Sequence, residues 1–213
     1  MLTGRRGSRA LSGAAVLAAV ALCVVVLASL YAVQRVHLAA AAAQAARPSV
    51  TRAVVDVITR ELRMASYDPS NALPVSTGAC APGVKQGIVE ATRTKIRFRQ
   101  DLNGDGVIAP SGGEDVTYDL VGDTIRRSDG IHPPVVLASG IAANGLTFRY
   151  FDGDDPPAEI VPAGTTAALT ACQRDRVARV RIDVLAHVTN PDPRDSTPIA
   201  SLAESEVAIR NRF

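Results

Sequence analysis

"ARVRIDVLAHV", residues 178–188, alternates without a break. Ala178, Val180, Ile182, Val184, Ala186 and Val188 fall on one side, with Arg179, Arg181 and Asp183 opposite. Side chains of an extended chain point to its two faces in turn. The segment therefore predicts a β-strand with one face on a core and the other in water. Shorter stretches repeat the pattern. Ile96 and Phe98 alternate with Lys95, Arg97 and Arg99; Val116, Tyr118 and Leu120 alternate with Thr117 and Asp119. Leu146, Phe148 and Tyr150 do the same, as do Val207 and Ile209 near the C-terminus. "GIVEA" (87–91) and "PPVV" (133–136) are weaker strand candidates, and 152–173 reads as a long loop. The expectation is an antiparallel sheet.

Upstream the period changes. Val50, Val54, Ile58 and Leu62 recur every four residues with Val57 beside them, and Arg52, Asp56, Arg60 and Arg63 fall between. That is an amphipathic helix, whose apolar stripe would cover the sheet. Before it runs "RVHLAAAAAQAA" (35–46), rich in the best helix former. Pro48 either kinks one long helix or occupies the first turn of a second. The expected element is one helix from about 10 to 66, bent near Pro48 and stopped by the turn residues "SYDPSN" (66–71).

Between Arg9 and Arg35 the chain carries no charge for 25 residues. A helix of that length reaches across a bilayer core of roughly 30 Å. Arg5, Arg6 and Arg9 precede it, so the positive-inside rule places the N-terminus in the cytoplasm and the rest beyond the membrane. A cleaved signal peptide is the competing reading, with "AQA" (43–45) as a cleavage site; it too exports the domain. The expected organisation is a basic leader at 1–9, a transmembrane helix at 10–34, an amphipathic helix at 35–66 and an extracytoplasmic antiparallel β domain at 67–213.

Cysteine usage suits export. Cys23 lies in the apolar stretch; Cys80 and Cys172 lie beyond it, either bridged or as two separate thiols. A bridge would close a loop of about 90 residues, worth roughly 4 kcal/mol in the chain-entropy account.

"DLNGDG" (101–106) places Asp101, Asn103 and Asp105 at alternate positions before Gly106, the opening of a calcium loop. Position 12 of an EF-hand would be Gly112 instead of a carboxylate, so this is not an EF-hand. A looser Ca2+ site would take Asp101, Asn103, Asp105, the Val107 carbonyl and Glu114 or Asp115. The alternative is a plain turn between strands. "DGDD" (152–155) is a second acidic cluster and reads as a solvated loop.

The net charge of +2 argues against a nucleic-acid partner. His37, His132 and His187 are scattered, and no nucleophile elbow, phosphate-cradling loop, HExxH or cofactor fingerprint occurs, so no enzyme is expected.

The order of a basic start, an apolar helix continuing into an amphipathic one, and then an antiparallel sheet resembles type IV pilin-like proteins, in particular the minor pilins and pseudopilins. The phrases that carry the likeness are "VTRAVVDVITRELRMASYDP", "KIRFRQDLNGDG", "EDVTYDLVGDTIRRSDG", "GLTFRYFD", "VARVRIDVLAHVTNPDP" and "SEVAIRNR", in order from about 50 to 212. The resemblance implies an α+β fold with a long helical spine on an antiparallel sheet. It also implies a non-enzymatic subunit of a type IV pilus, type II secretion or DNA-uptake assembly. Its partners would be the inner membrane and other pilin-like subunits, met through the N-terminal helix. Arg126, Arg127, Arg179 and Arg181 would be available to acidic faces of neighbours or simply solvated. The family's leader ends in glycine before Phe-Thr-Leu-x-Glu. Here the nearest match is Gly7 and Ser8, followed by Arg9, Ala10 and Leu11, with Ser12 where the glutamate belongs. The alternative role is a membrane-tethered binding module, calcium-dependent or not, that does not polymerise.

Overall fold

The computed structural model describes residues 50–78, 81–162, 167–188, 197 and 199–212. Helix α1 covers residues 50–62. Val54, Val55, Ile58 and Leu62 are buried along one side, joined by Ala65 in the following turn, while Arg52, Asp56 and Arg60 stay in water. Val50 is 48% exposed, so the stripe starts a turn later than the four-residue spacing implied.

The helix tightens before it stops: the N–H groups of Met64 and Ala65 bond back three residues, to Glu61 and Leu62. Ser66 turns left-handed (φ 65°), and its N–H bonds the Arg99 carbonyl at 3.0 Å. Asp68 then accepts from the N–H groups of Ala72 (2.7 Å) and Leu73 (3.0 Å), which fixes the turn.

Nine strands follow in two antiparallel sheets among the described residues. The first is a meander of β1 (Ile88–Ala91), β2 (Lys95–Arg99), β3 (Asp115–Val121), β4 (Thr124–Ser128) and β5 (Val135–Ala138) in sequence order. The second contains β6 (Ile141–Phe151), β7 (Glu159–Ile160), β8 (Arg179–Val188) and β9 (Ile199–Ala208), ordered β7-β6-β8-β9. A short helix, α2 (Ala171–Arg176), precedes β8. Alternation decides which side chains go inside: Ile96, Phe98, Val116, Tyr118 and Ile125 from the first sheet share one core with Leu146, Phe148, Tyr150, Val180, Ile182 and Val184 from the second. The Phe98 and Tyr118 rings stack with centroids 6.3 Å apart. The apolar stripe of α1 belongs to the same core.

β6 changes register against β8 between Ile141 and Leu146. Asn144 is left-handed there (φ 58°), and a Cβ on Gly145 would fall 2.8 Å from the Ala142 carbonyl oxygen and closer still to that of Leu185. Only glycine lets the backbones approach so far.

Three expectations are corrected. The α+β pilin-like fold class, with one long helix as the spine, gives way to two antiparallel sheets accompanied by two short helices among the described residues. Among the described residues the helix runs only from 50 to 62, close to its expected stop near 66 and too short to serve as a spine. The single-pass membrane placement also fails to find its element. No helix among the described residues is long and apolar enough to cross a membrane. Over residues 50–62 α1 spans only about 20 Å and is charged on one side. The pilin, pseudopilin and secretion-system labels attached to that architecture fall with it. The leader with Gly7 and Ser8, the apolar stretch 10–34 and the alanine-rich run 35–46 lie outside the described residues.

Strand expectations at 95–99, 115–120, 146–150 and 178–188 match β2, β3, β6 and β8, and both weak candidates fold as β1 and β5. β4 had no expectation; its signal was the Gly122–Asp123 turn that closes the hairpin with β3. The supposed loop 152–173 holds β7 and the first turn of α2. Thr170 and Gln173 form a capping box at that helix, a Thr-x-x-Gln signature readable in the sequence.

Candidate functional site

The acidic loop joins β2 to β3. Asp101 is fully buried at its start. Its carboxylate accepts from the N–H groups of Gly104 (2.8 Å) and Gly106 (3.2 Å) and from the Ser70 hydroxyl. Both glycines have positive φ, which turns their N–H groups inward onto that carboxylate. The Ser70 hydroxyl, then the backbone donors, hold the Asp101 carboxyl below the usual carboxylate range. Asn103 and Asp105 build successive Asx turns: the Asn103 side-chain oxygen accepts from the Asp105 N–H (2.9 Å), and the Asp105 carboxylate from the Val107 N–H (2.8 Å). Val107 itself is exposed. Glu114, buried, folds back to accept from Leu102 (3.0 Å), Asn103 (3.3 Å) and Ala109 (2.8 Å).

Asp115 turns away from the loop. Arg97 meets it with two bonds of 2.7 Å, and Arg99 adds one of 2.8 Å. The structure thus brings Asp101, Asn103, Asp105 and Glu114 to one loop, while Asp115 belongs to the arginine side of the first sheet. The carboxylate oxygens of the loop accept from N–H and hydroxyl donors. Among the described residues no cluster of three or more His, Cys, Asp or Glu is placed to hold a metal.

Burial raises the Asp115 carboxyl, but the hydrogen bonds and charges of Arg97 and Arg99 outweigh it, and the group ends below its ordinary value. A carboxylate whose folded pKa is depressed contributes stability above its unfolded pKa and loses it as pH falls through the folded one. Asp115→Asn is therefore expected to flatten the acid limb of the stability curve below about pH 4. Urea midpoints measured at descending pH would check this; an unchanged acid limb would show the triad to be inert.

The arginines singled out for neighbours mostly have partners within the chain. Arg126 pairs with Asp119 at 2.8 Å, and Arg127 with Glu61 at 3.0 Å. Glu61 also accepts the Tyr118 hydroxyl at 2.6 Å, tying α1 to β3 and β4. Burial, with Glu61 adding to it, keeps that hydroxyl protonated. Arg179 and Arg181 each approach Glu206 at 3.9 Å.

Cys172, in the first turn of α2, is disulfide-bonded. Cys80, its expected partner, lies outside the described residues, as does Cys23. Near α2 the buried Asp175 accepts from the Ser76 hydroxyl (2.7 Å) and the Gln86 side chain (3.3 Å). The segment that leads toward Cys80 is therefore already docked on α2. In "DGDD" the first residue departs from the solvated reading: Asp152 is buried, accepts from Ala158 at 2.8 Å and pairs with Arg176 at 2.9 Å. Asp154 and Asp155 are exposed. His187 is exposed, and the exposed His132 bonds Asp129 at 2.7 Å; His37 lies outside the described residues.

A depression of about 540 Å³ with a mixed polar and apolar lining opens where Val50, Thr51, Val136, Ser139, Ile141 and His187 meet. Sequence reasoning missed it, because its walls come from α1, β5, β6 and β8. Val135 and Val136 are 58% and 57% exposed beside it. No family model matches the chain, and neither a curated protein nor a solved structure matches it significantly.

Proposed function

We propose that the domain is a non-enzymatic docking module that acts by binding other protein subunits. One observation carries the reading: Val50 and Val136 stand exposed in the wall of one depression, and Val135 is exposed on the same strand as Val136. Exposed apolar side chains gathered at one place cost solvation and mark interaction surfaces. A partner's apolar side chain would fill the depression, with Thr51, Ser139 and His187 at its polar rim.

Val136→Asp is expected to abolish partner recovery when the full chain is purified from its native cells under gentle crosslinking. The melting temperature should stay within a few degrees, since the residue is exposed. Recovery of the unsubstituted chain alone, or of the same partners by Val136→Asp, would overturn the reading.

A further inference from the structure

We propose that the outer edge of β9 accepts an extended strand from another protein, and that this strand carries a lysine or arginine opposite Glu204 and an apolar residue opposite Leu202. The proposal rests on the docking reading only in taking another protein as the occupant.

Each sheet ends in two edge strands, and three of the four are blunted. β1 packs beside α2, and its Ala91 carbonyl accepts from Leu169 at 2.8 Å. β5 is short, follows Pro133 and Pro134, and slips register against β4 at Ile125/Arg126. β7 has two residues and lies between Pro157 and Pro162. β9 has none of these devices. It runs for ten residues in unbroken register with β8 and contains no proline, lysine or glycine. Among the described residues no backbone hydrogen bond reaches its outer side. Sheets that remain alone hide or interrupt such an edge. A long open edge is the surface on which strand addition occurs.

Charge selects the occupant. Register places Asp183 of β8 directly opposite Glu204 of β9, two acids side by side on the solvent face. Asp183 has a buried carboxylate oxygen without a hydrogen-bond partner. Burial, then the charge of Glu204, pushes its carboxyl above the ordinary value, although Arg181 and Arg149 pull the other way. Glu206 has Arg179 and Arg181 nearby, but no described cation lies within ion-pair distance of Glu204. Like charges directly opposite weaken a strand pair, and a cation on the next strand reverses the sign. Leu202, on the same face two residues earlier, is 58% exposed.

A second copy of the chain meets this requirement poorly. An antiparallel two-fold centred on Ser205 would set Glu204 against Glu206, and one centred on Glu204 would set it against itself. Centred on Leu202 it would face Ala200, which brings no cation; centred on Val207 it would meet Arg210 but would set Leu202 against Arg212, a charged residue already bonded to the Asp175 carbonyl. A basic strand from a different protein supplies what the edge lacks.

The test uses the full chain and two synthetic peptides of alternating threonine with valine and lysine, or threonine with valine and glutamate. The lysine peptide should bind saturably and slow hydrogen exchange across 199–208 while leaving 135–138 unchanged. The glutamate peptide should not bind. Glu204→Lys, an exposed substitution, should weaken the lysine peptide about tenfold and admit the glutamate peptide. Equal binding of both peptides, an unaltered affinity in Glu204→Lys, or no protection across 199–208 would overturn the proposal. Protection that grows with protein concentration in the absence of peptide would overturn it in favour of self-pairing. These readouts are independent of partner recovery by Val136→Asp, so either claim can fail while the other stands.

Discussion

Phe98→Ala should lower the unfolding free energy by about 3–5 kcal/mol. Phe98 is fully buried on β2, and its ring stacks on Tyr118. Removing it empties volume where the stripe of α1, the first sheet and the second share one core. The surroundings are held by strand pairing on both sides, β1 at one edge and β3 at the other, so collapse into the void is restricted. The loss would be read as a lower denaturant midpoint with an unchanged m-value. A cost under about 1 kcal/mol would mean that the two sheets do not close on a common interior.

Cys172→Ser carries the next largest effect. Cys172 is bridged in the first turn of α2. If the ring is the one to Cys80, it encloses about 90 residues, and opening it should cost roughly 4 kcal/mol, mainly by freeing the unfolded chain. Cys80→Ser and the double variant should then lose the same amount, and reductant should leave the double variant unaffected. A stable Cys80→Ser protein beside an unstable Cys172→Ser one would refute that pairing. Ser76 and Gln86 would still hold Asp175, so α2 should remain docked in the native state of these variants.

How much was legible varies with the range of the interaction. Alternation in "KIRFR" and "RVRIDV" marked β2 and β8 because strand periodicity is local. The weaker "TIRRS" of β4 was passed over, since only Ile125 of it turns inward to the core. At the acidic loop the sequence left a calcium site and a turn both open. The tertiary structure supplied what the letters lacked, namely the Ser70 hydroxyl from a distant turn and the two arginines that draw Asp115 away. The depression and the β9 edge had no sequence signal, because each depends on which strands become neighbours.

The amphipathic stripe at Val54, Ile58 and Leu62 and the stop ahead of the turn residues 66–71 were legible, because both are local; the described helix is nevertheless only residues 50–62, not a spine.

By itself the sequence determined the inward alternation of β2, β3, β6 and β8 and the stripe of α1 from Val54 on, since helical and extended periods are properties of neighbouring residues. Only the tertiary structure decided that the strands would divide into two sheets and that Asp183 would stand opposite Glu204 on an uncovered edge. Pairing and register are settled by contacts between residues far apart in the chain, where a shift of one position exchanges the buried face for the exposed one.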